Sequence, residues 1–165
     1  MEIYKAIRGY PKYKVSNHGN VMNTVTGRVL KSCMNGIGYY YVRLCADGPP
    51  ISKAVHQLVA KAFIRNPNDH VRVDHKDSDK SNNHRNNLRW CTYQQNGQNK
   101  KMSINNTSGC KGVTIHKNTG KYQASIRVNG VNKYIGVYET LGEAKQARLR
   151  EATLHFGEFM NACEL

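Results

Sequence analysis

The chain has 165 residues, room for one domain or for two small ones joined by a linker. It carries no apolar run of roughly 18 residues and no signal-peptide pattern, so the expectation is a soluble, cytosolic or nucleoid-associated protein rather than a membrane protein. Its net charge of +14 is spread along the chain: residues 1–105 hold 17 Lys and Arg against 6 Asp and Glu, and residues 106–165 hold 8 against 5. That is the composition of a folded surface meeting a polyanion, nucleic acid before anything else. The five cysteines, Cys33, Cys45, Cys91, Cys110 and Cys163, form no C-x-x-C pair. This argues against a zinc knuckle and predicts mostly small buried hydrophobes in a reducing compartment.

From Glu2 to Leu44 the signals are short strands and turns. Tyr13-Lys14-Val15 leads into the turn cluster Ser16-Asn17-His18-Gly19-Asn20, after which Val21 resumes an extended run. A second turn at Thr26-Gly27 precedes Arg28-Val29-Leu30-Lys31, and Tyr39 to Leu44 is aromatic and β-branched enough to form a strand. Together these predict a small antiparallel sheet. Asp47-Gly48-Pro49-Pro50 breaks the chain, and Ser52 is placed to cap a helix whose apolar face is Val55, Leu58, Val59, Ala62 and Phe63. His56 lies beside that stripe and reads as a structural histidine. Asn66-Pro67-Asn68-Asp69 ends the helix.

Val71 and Val73 then alternate with Arg72 and Asp74, the pattern of a half-buried strand. A polar loop over Ser78 to Arg85 leads to a second short strand, Asn87 to Cys91, with Leu88 and Trp90 on one face. Thr92 and Gln95 fit a capping box, which puts Asn96 in the first turn of a helix. The result is a strand, loop, strand, helix unit. Gly97 to Thr107 lacks apolar periodicity, and its later part reads as a linker. Beyond it, Lys111–Lys117, Lys121–Val128 and Asn132–Tyr138 are strand-like, separated by Asn118-Thr119-Gly120 and by the hairpin signal Asn129-Gly130. Thr140 and Glu143 form another capping box, before a helix to about Phe156 with Ala144, Ala147 and Ala152 as a small-residue face and Leu149 and Phe156 as anchors.

One stretch, VRVDHKDSDKSNNHRNNLRWCTYQQN, holds groups suited to chemistry. Phosphodiester cleavage needs a nucleophile in line, neutralised phosphoryl oxygens and a stabilised leaving oxygen. Asp74 and Asn96 supply the carboxylate and amide oxygens that suit a hard cation, Mg²⁺ or Mn²⁺, one per site. His75 is the natural general base, and Asn87 can hold the imidazole or the loop. Neighbouring side chains on a strand face opposite ways, so the chain is expected to turn at Asp74-His75 for both to serve one site.

The combination DHKD, NN, NNLRW, CT and N at these spacings resembles the HNH nuclease family, whose ββα-metal fold is a strand, loop, strand, helix unit. By that resemblance Asp74 and Asn96 match the metal ligands, His75 the general base and Asn87 the central Asn. Asn96 stands where the family's last histidine is usual, as it does in some phage intron-encoded nicking members. GYPKYKVSNHGNV, TGRVLK, GYYYVRL and AVHQLVAKAFIRNP resemble the NUMOD-four module that precedes HNH sites in homing endonucleases, except that Ile3-Tyr4 replaces the module's usual Trp. NTSGCKGVTIHKNTGKYQASIRVNG, YIGVYETLGEAKQAR and HFGEF resemble the AP-two DNA-binding domain, which lays a three-stranded sheet in the major groove. The matching strand positions are Lys111, Lys117, Lys121, Tyr122, Gln123, Arg127, Lys133 and Tyr134.

The expected fold is therefore α+β: a small antiparallel sheet plus a ββα-metal unit, linked to a C-terminal three-stranded antiparallel sheet packed on one helix. The expected division is a NUMOD-four-like module over 1–67, the nuclease core over 68–100, a linker over 101–110 and an AP-two-like domain over 111–165. The resemblances imply a site-specific homing endonuclease acting on double-stranded DNA, nicking one strand as a monomer with no obligate protein partner, in the cytoplasm of a phage-infected cell. Further DNA contacts are expected from Arg28, Lys31, Arg43, Lys76, Lys80, Arg85, Arg89, Lys100 and Lys101. The rival from another class is a DNA-binding transcriptional or architectural protein without nuclease activity, which accounts for the charge but not for Asp74, His75, Asn87 and Asn96.

Overall fold

The computed structural model describes residues 1–164. The chain forms two compact units, residues 1–92 and 93–165. Among the described residues no helix is long and apolar enough to cross a membrane.

In the first unit the expected small sheet is two three-stranded antiparallel sheets. One has the order β1 (Tyr4–Ile7), β2 (Tyr10–Ser16), β3 (Val21–Asn23); the other has the order β4 (Cys33–Met34), β5 (Tyr40–Leu44), β6 (Ile51–Ala54). Alternation in β2 buries Tyr13 and Val15 and leaves Lys12 and Lys14 in water, the period of a strand with one covered face. The turn between β2 and β3 is tied by Ser16, whose Oγ accepts from the His18 and Asn20 amides at 3.2 and 3.0 Å. Asn17 is buried there, its Oδ1 accepting from the Ile3 amide at 2.6 Å.

Helix α1 (Val55–Phe63) follows β6 directly, so its N-cap is Ala54, with no side-chain cap. Ser52 is not the cap expected from sequence: it is held in β6, where it pairs with Arg43. Val55, Leu58 and Val59 are buried as the stripe predicts, while Ala62 and Phe63 are half-buried. They close one core with Val15, Val21, Val42, Leu44, Val73 and Leu88, each large apolar side chain contributing roughly 1.5–3 kcal/mol of transfer free energy. The unit ends in an antiparallel ribbon, β7 (Arg72–His75) and β8 (Leu88–Cys91), with a short 3-10 turn at Arg85–Asn87 leading into β8. Val71, expected in the strand's buried face, precedes β7 and is exposed. Trp90 is half-buried and donates its indole N–H to the Ile64 carbonyl at 3.1 Å, which ties β8 to the end of α1.

The second unit opens with helix α2 (Tyr93–Gln98), followed by an antiparallel sheet of β9 (Val113–Ile115), β10 (Tyr122–Val128) and β11 (Val131–Tyr138), with β10 central. Asn129 and Gly130 both have positive φ, 51° and 79°, as a two-residue type I′ turn requires. Helix α3 (Leu141–Phe156) starts at the expected capping box: Glu143 N–H donates to Thr140 Oγ1 at 3.3 Å, and Thr140 N–H donates to Glu143 Oε2 at 3.1 Å. Ala144, Ala147, Ala152 and Phe156 are buried, but the expected anchor Leu149 is only half-buried and Arg148 is buried beside it. Arg148 is accommodated by Glu164, 2.8 Å from its Nη1, and by the face of Phe156. Only Cys91 and Cys110 are buried; Cys33, Cys45 and Cys163 are exposed, against the expectation that most would be core residues.

Candidate active site

Asp74 and His75 are the last two residues of β7, opposite Arg89 and Leu88 of β8. Both are buried, with exposures of 6% and 4%. The chain stays extended through the pair and turns only afterwards, where the Ser78 amide donates to the His75 carbonyl at 2.9 Å and Ser78 takes a φ of 60°. The turn expected at Asp74-His75 is thus displaced. Each side chain is buried against its own partners. Arg89 is the cross-strand neighbour of Asp74, and its Nε and Nη2 lie 2.9 and 2.8 Å from Asp74 Oδ2. His75 meets the rings of Tyr39 and His56, at centroid distances of 5.9 and 5.2 Å, and its Nε2 lies 3.2 Å from Asn83 Oδ1.

The loop between β7 and β8 folds on its own polar side chains. Asp77 Oδ1 accepts from the Asp79 amide at 2.8 Å and from Asn87 Nδ2 at 2.9 Å, and its Oδ2 accepts from Asn82 Nδ2 at 2.7 Å. Asn87 also accepts from the Asp77 amide and donates to the Asn82 carbonyl, so of the two roles expected for it, the loop is the one it fills. Asp79 in turn accepts from the amide and hydroxyl of Ser81. These are Asx turns, and the D-S-D-K-S spacing from Asp77 to Ser81 is their sequence signal. Asp77 and Asn83 fall within the DHKD and NN motifs but receive no role from the sequence, and Tyr39 carries no comparable signal, since the rings it meets, His56 and His75, lie far along the chain.

Burial pushes the His75 imidazole below its ordinary range, opposed by the Asn83 hydrogen bond and by the Asp74 carboxylate. The ring is therefore neutral at neutral pH, the state a general base needs. Burial, with His75 adding to it, pushes His56 down to about 4. Burial and then the Asp74 carboxylate raise the Tyr39 hydroxyl. For Asp77, burial acts upward, but the hydrogen bonds from Asp79, Asn82 and Asn87 outweigh it and hold the carboxyl below its usual range.

Asn96, expected as the second metal ligand, is half-buried on α2 and belongs to the second unit. Of the basic residues expected on DNA, Arg28, Lys31, Arg43, Lys76, Lys80, Arg85, Lys100, Lys101, Lys117, Arg127 and Lys133 are exposed. Two are corrected by the structure. Arg89 is buried on Asp74. Lys111 is held inside the second unit, its Nζ donating to the carbonyls of Gln98 and Lys100 at 2.8 and 2.7 Å and lying 2.9 Å from Glu164. Lys80 sits over the Tyr39 ring, and Lys121 and Lys133 pair with Glu139 and Glu151. Tyr122 packs against the core and Gln123 is half-buried, whereas Tyr134 is 60% exposed.

Residues 2–45 match the NUMOD4 motif, and residues 53–98 match a family model described as HNH endonuclease. The DNA endonuclease I-HmuI of Bacillus phage SP01 is 39% identical over 97 residues, covering 58% of this chain and 56% of that protein. An uncharacterized HNH endonuclease, L245 of Acanthamoeba polyphaga mimivirus, is 34% identical over 141 residues, 86% of this chain and 39% of its own length. The H-N-H endonuclease F-TflII of Escherichia phage T5 is 33% identical over 84 residues, 50% of this chain and 44% of that one. The chain thus spans between about two fifths and somewhat over half of these relatives. Among solved structures, one titled for DNA binding and cleavage by the HNH homing endonuclease I-HmuI matches with a TM-score of 0.58 and 28% identity, over 94% of this chain and 86% of that one.

Proposed function

We propose that this chain, homologous to the HNH endonucleases over residues 53–98 and carrying a NUMOD4 motif over residues 2–45, is a site-specific homing endonuclease that hydrolyses one phosphodiester bond of double-stranded DNA. The observation that carries this reading is the buried Asp74-His75 pair at the end of β7, inside the matched segment. A carboxylate and an imidazole are costly to bury and are ordinarily kept so only where they are partnered or functional.

His75, neutral because it is buried, takes the proton of a water molecule. The water oxygen bonds to phosphorus as the bond to the 3′ oxygen breaks, leaving a 5′ phosphate and a 3′ hydroxyl. Asn87, through Asp77 and Asn82, holds the loop that follows His75 in one shape. Among the described residues no three of His, Cys, Asp or Glu gather as ligands. A lone carboxylate with an amide oxygen fits a hard divalent ion that takes its remaining ligands from water and phosphate. Asp74 and Asn96 would hold one such Mg²⁺ or Mn²⁺, which when bound neutralises the phosphoryl and departing oxygens. The exposed Arg127, Lys133 and Tyr134 belong to a three-stranded sheet backed by α3, and the exposed Lys117 lies in the turn between β9 and β10, a layout that fits an AP-two-like domain that would add phosphate and base contacts. One nuclease motif per chain favours a monomer that nicks one strand.

The test is nicking of a supercoiled plasmid library of random inserts with Mn²⁺, with cut positions mapped strand by strand. Wild type should relax a sequence-defined subset, and His75→Ala or chelation of the metal should abolish relaxation while leaving DNA binding in place. Equal relaxation by wild type and His75→Ala would sink the mechanism. Replacing Lys117, Arg127 and Lys133 together by Ala should flatten the salt dependence of binding by up to about 3 in slope; an unchanged slope would take the second unit off the DNA.

A further inference from the structure

We propose that Asn83 is the positioning residue for His75: its Oδ1 accepts the proton carried on Nε2, which puts the basic lone pair of the neutral ring on Nδ1. This rests on the reading of His75 as the general base. Three observations support the bond itself.

The first is chemical. Asn83 is buried, and its Nδ2 donates to the Ser81 carbonyl at 3.2 Å. A carbonyl can only accept, so that contact fixes which end of the amide is nitrogen. The other end, Oδ1, lies 3.2 Å from His75 Nε2. An amide oxygen has no proton to give, so the imidazole must donate, and in its neutral form the other ring nitrogen is then the acceptor. The second is positional. The rings of His56 and Tyr39 also pack against His75, so the imidazole is enclosed and the Asn83 bond selects among the ring orientations that this enclosure admits.

The third observation concerns what holds Asn83. The turn between β2 and β3, in the NUMOD4 segment, lies against it. Gly19 approaches so closely that a Cβ there would come 2.9 Å from Asn83 Cβ, and its φ of +96° is one that side chains disfavour. Two positions away along each segment, the Arg85 amide donates to the Asn17 carbonyl at 2.8 Å. Asn17 is itself buried and bonded to the Ile3 amide. The N-terminal module thereby buttresses the loop that orients the base, a role separate from any contact that module makes with DNA.

The experiment is ¹⁵N-edited NMR of the metal-free full chain at a pH where His75 is neutral, read together with nicking of the same plasmid library. A buried, hydrogen-bonded Nε2–H exchanges slowly enough to be seen, whereas a solvent-facing one does not. Wild type should show the His75 Nε2–H resonance; Asn83→Leu should lose it, and Asn83→Asp, which keeps an acceptor, should retain it. Nicking should fall on the order of 10- to 100-fold in Asn83→Leu, the range met when the outer partner of a functional imidazole is removed, chiefly in kcat. Gly19→Ala, which displaces Asn83 without altering its chemistry, should weaken the same resonance. A proton on Nδ1 with Nε2 bare, or an Nε2–H signal that survives in Asn83→Leu, would overturn the proposal. A protected Nε2–H in a wild-type chain that relaxes no member of the library would support the bond and remove the nuclease reading alone.

Discussion

Arg89 places both Nε and Nη2 on the same oxygen of Asp74, at 2.9 and 2.8 Å, across the β7–β8 ribbon. Both residues are buried. Removing the cation leaves a carboxylate in an environment that solvates it poorly, so Arg89→Met should destabilise the first unit by about 3–5 kcal/mol at neutral pH. Urea unfolding measures it. If Asp74 also holds a divalent ion, Mn²⁺ should raise the Tm of Arg89→Met more than that of wild type, since the guanidinium no longer competes for the carboxylate. No Tm response in either protein would remove Asp74 as a ligand.

His56 gives a pH dependence of defined sign. It protonates at about 4 in the folded chain against 6.5 for the unperturbed group, so between those values the unfolded chain binds the extra proton. Stability is fully present above pH 6.5 and declines as pH falls toward 4, by on the order of 3 kcal/mol from this one group. Its Nδ1 is buried without a hydrogen-bond partner among the described residues, consistent with a ring kept neutral. His56→Leu should flatten the acid limb of the stability profile without abolishing it, because His75, which faces it, is shifted in the same direction. An acid limb as steep in His56→Leu as in wild type would assign the effect elsewhere.

What could be read from the sequence was local. The Thr140/Glu143 capping box, the Asn129-Gly130 turn and the β7, loop, β8 order each depend on residues a few positions apart, and each is present in the fold. Where distant partners decide, pattern fails. Ser52 is a good helix cap in isolation but pairs with Arg43 in a sheet. Arg148 displaces Leu149 from the buried face because Glu164, 16 positions later, neutralises it. The site divides in the same way: Asp74 and His75 were legible as a pair, whereas Asn83, the residue on the imidazole, depends on a loop folded back against Gly19.

Cysteine reactivity separates the two environments the thiols occupy. Burial pushes Cys91 up to about 11, with the Asp74 carboxylate adding to it, and burial also raises Cys110. The thiolate is the nucleophile, so both are protected twice, by access and by protonation. Titration with a thiol-reactive disulfide at mildly alkaline pH should label Cys33, Cys45 and Cys163 rapidly and reach all five thiols only on unfolding. Rapid labelling of Cys91 in the native chain would mean that β8 opens more readily than its pairing with β7 allows.

Gly112 lies where the second unit has no space for a side chain. A Cβ there would come 2.2 Å from Arg148 Nε and 2.7 Å from the Ser125 carbonyl, and φ is +75°. Arg148 cannot simply move aside, since it is buried and paired with Glu164. Gly112→Ala therefore combines overpacking with backbone strain and should destabilise the unit by about 2–4 kcal/mol. Asparagine tolerates positive φ far better than alanine, so Gly112→Asn separates the two causes. If the contact with Arg148 dominates, Asn is as damaging as Ala in thermal unfolding; if Asn restores most of the wild-type stability, the backbone conformation, and not the space beside Arg148, is what requires glycine here.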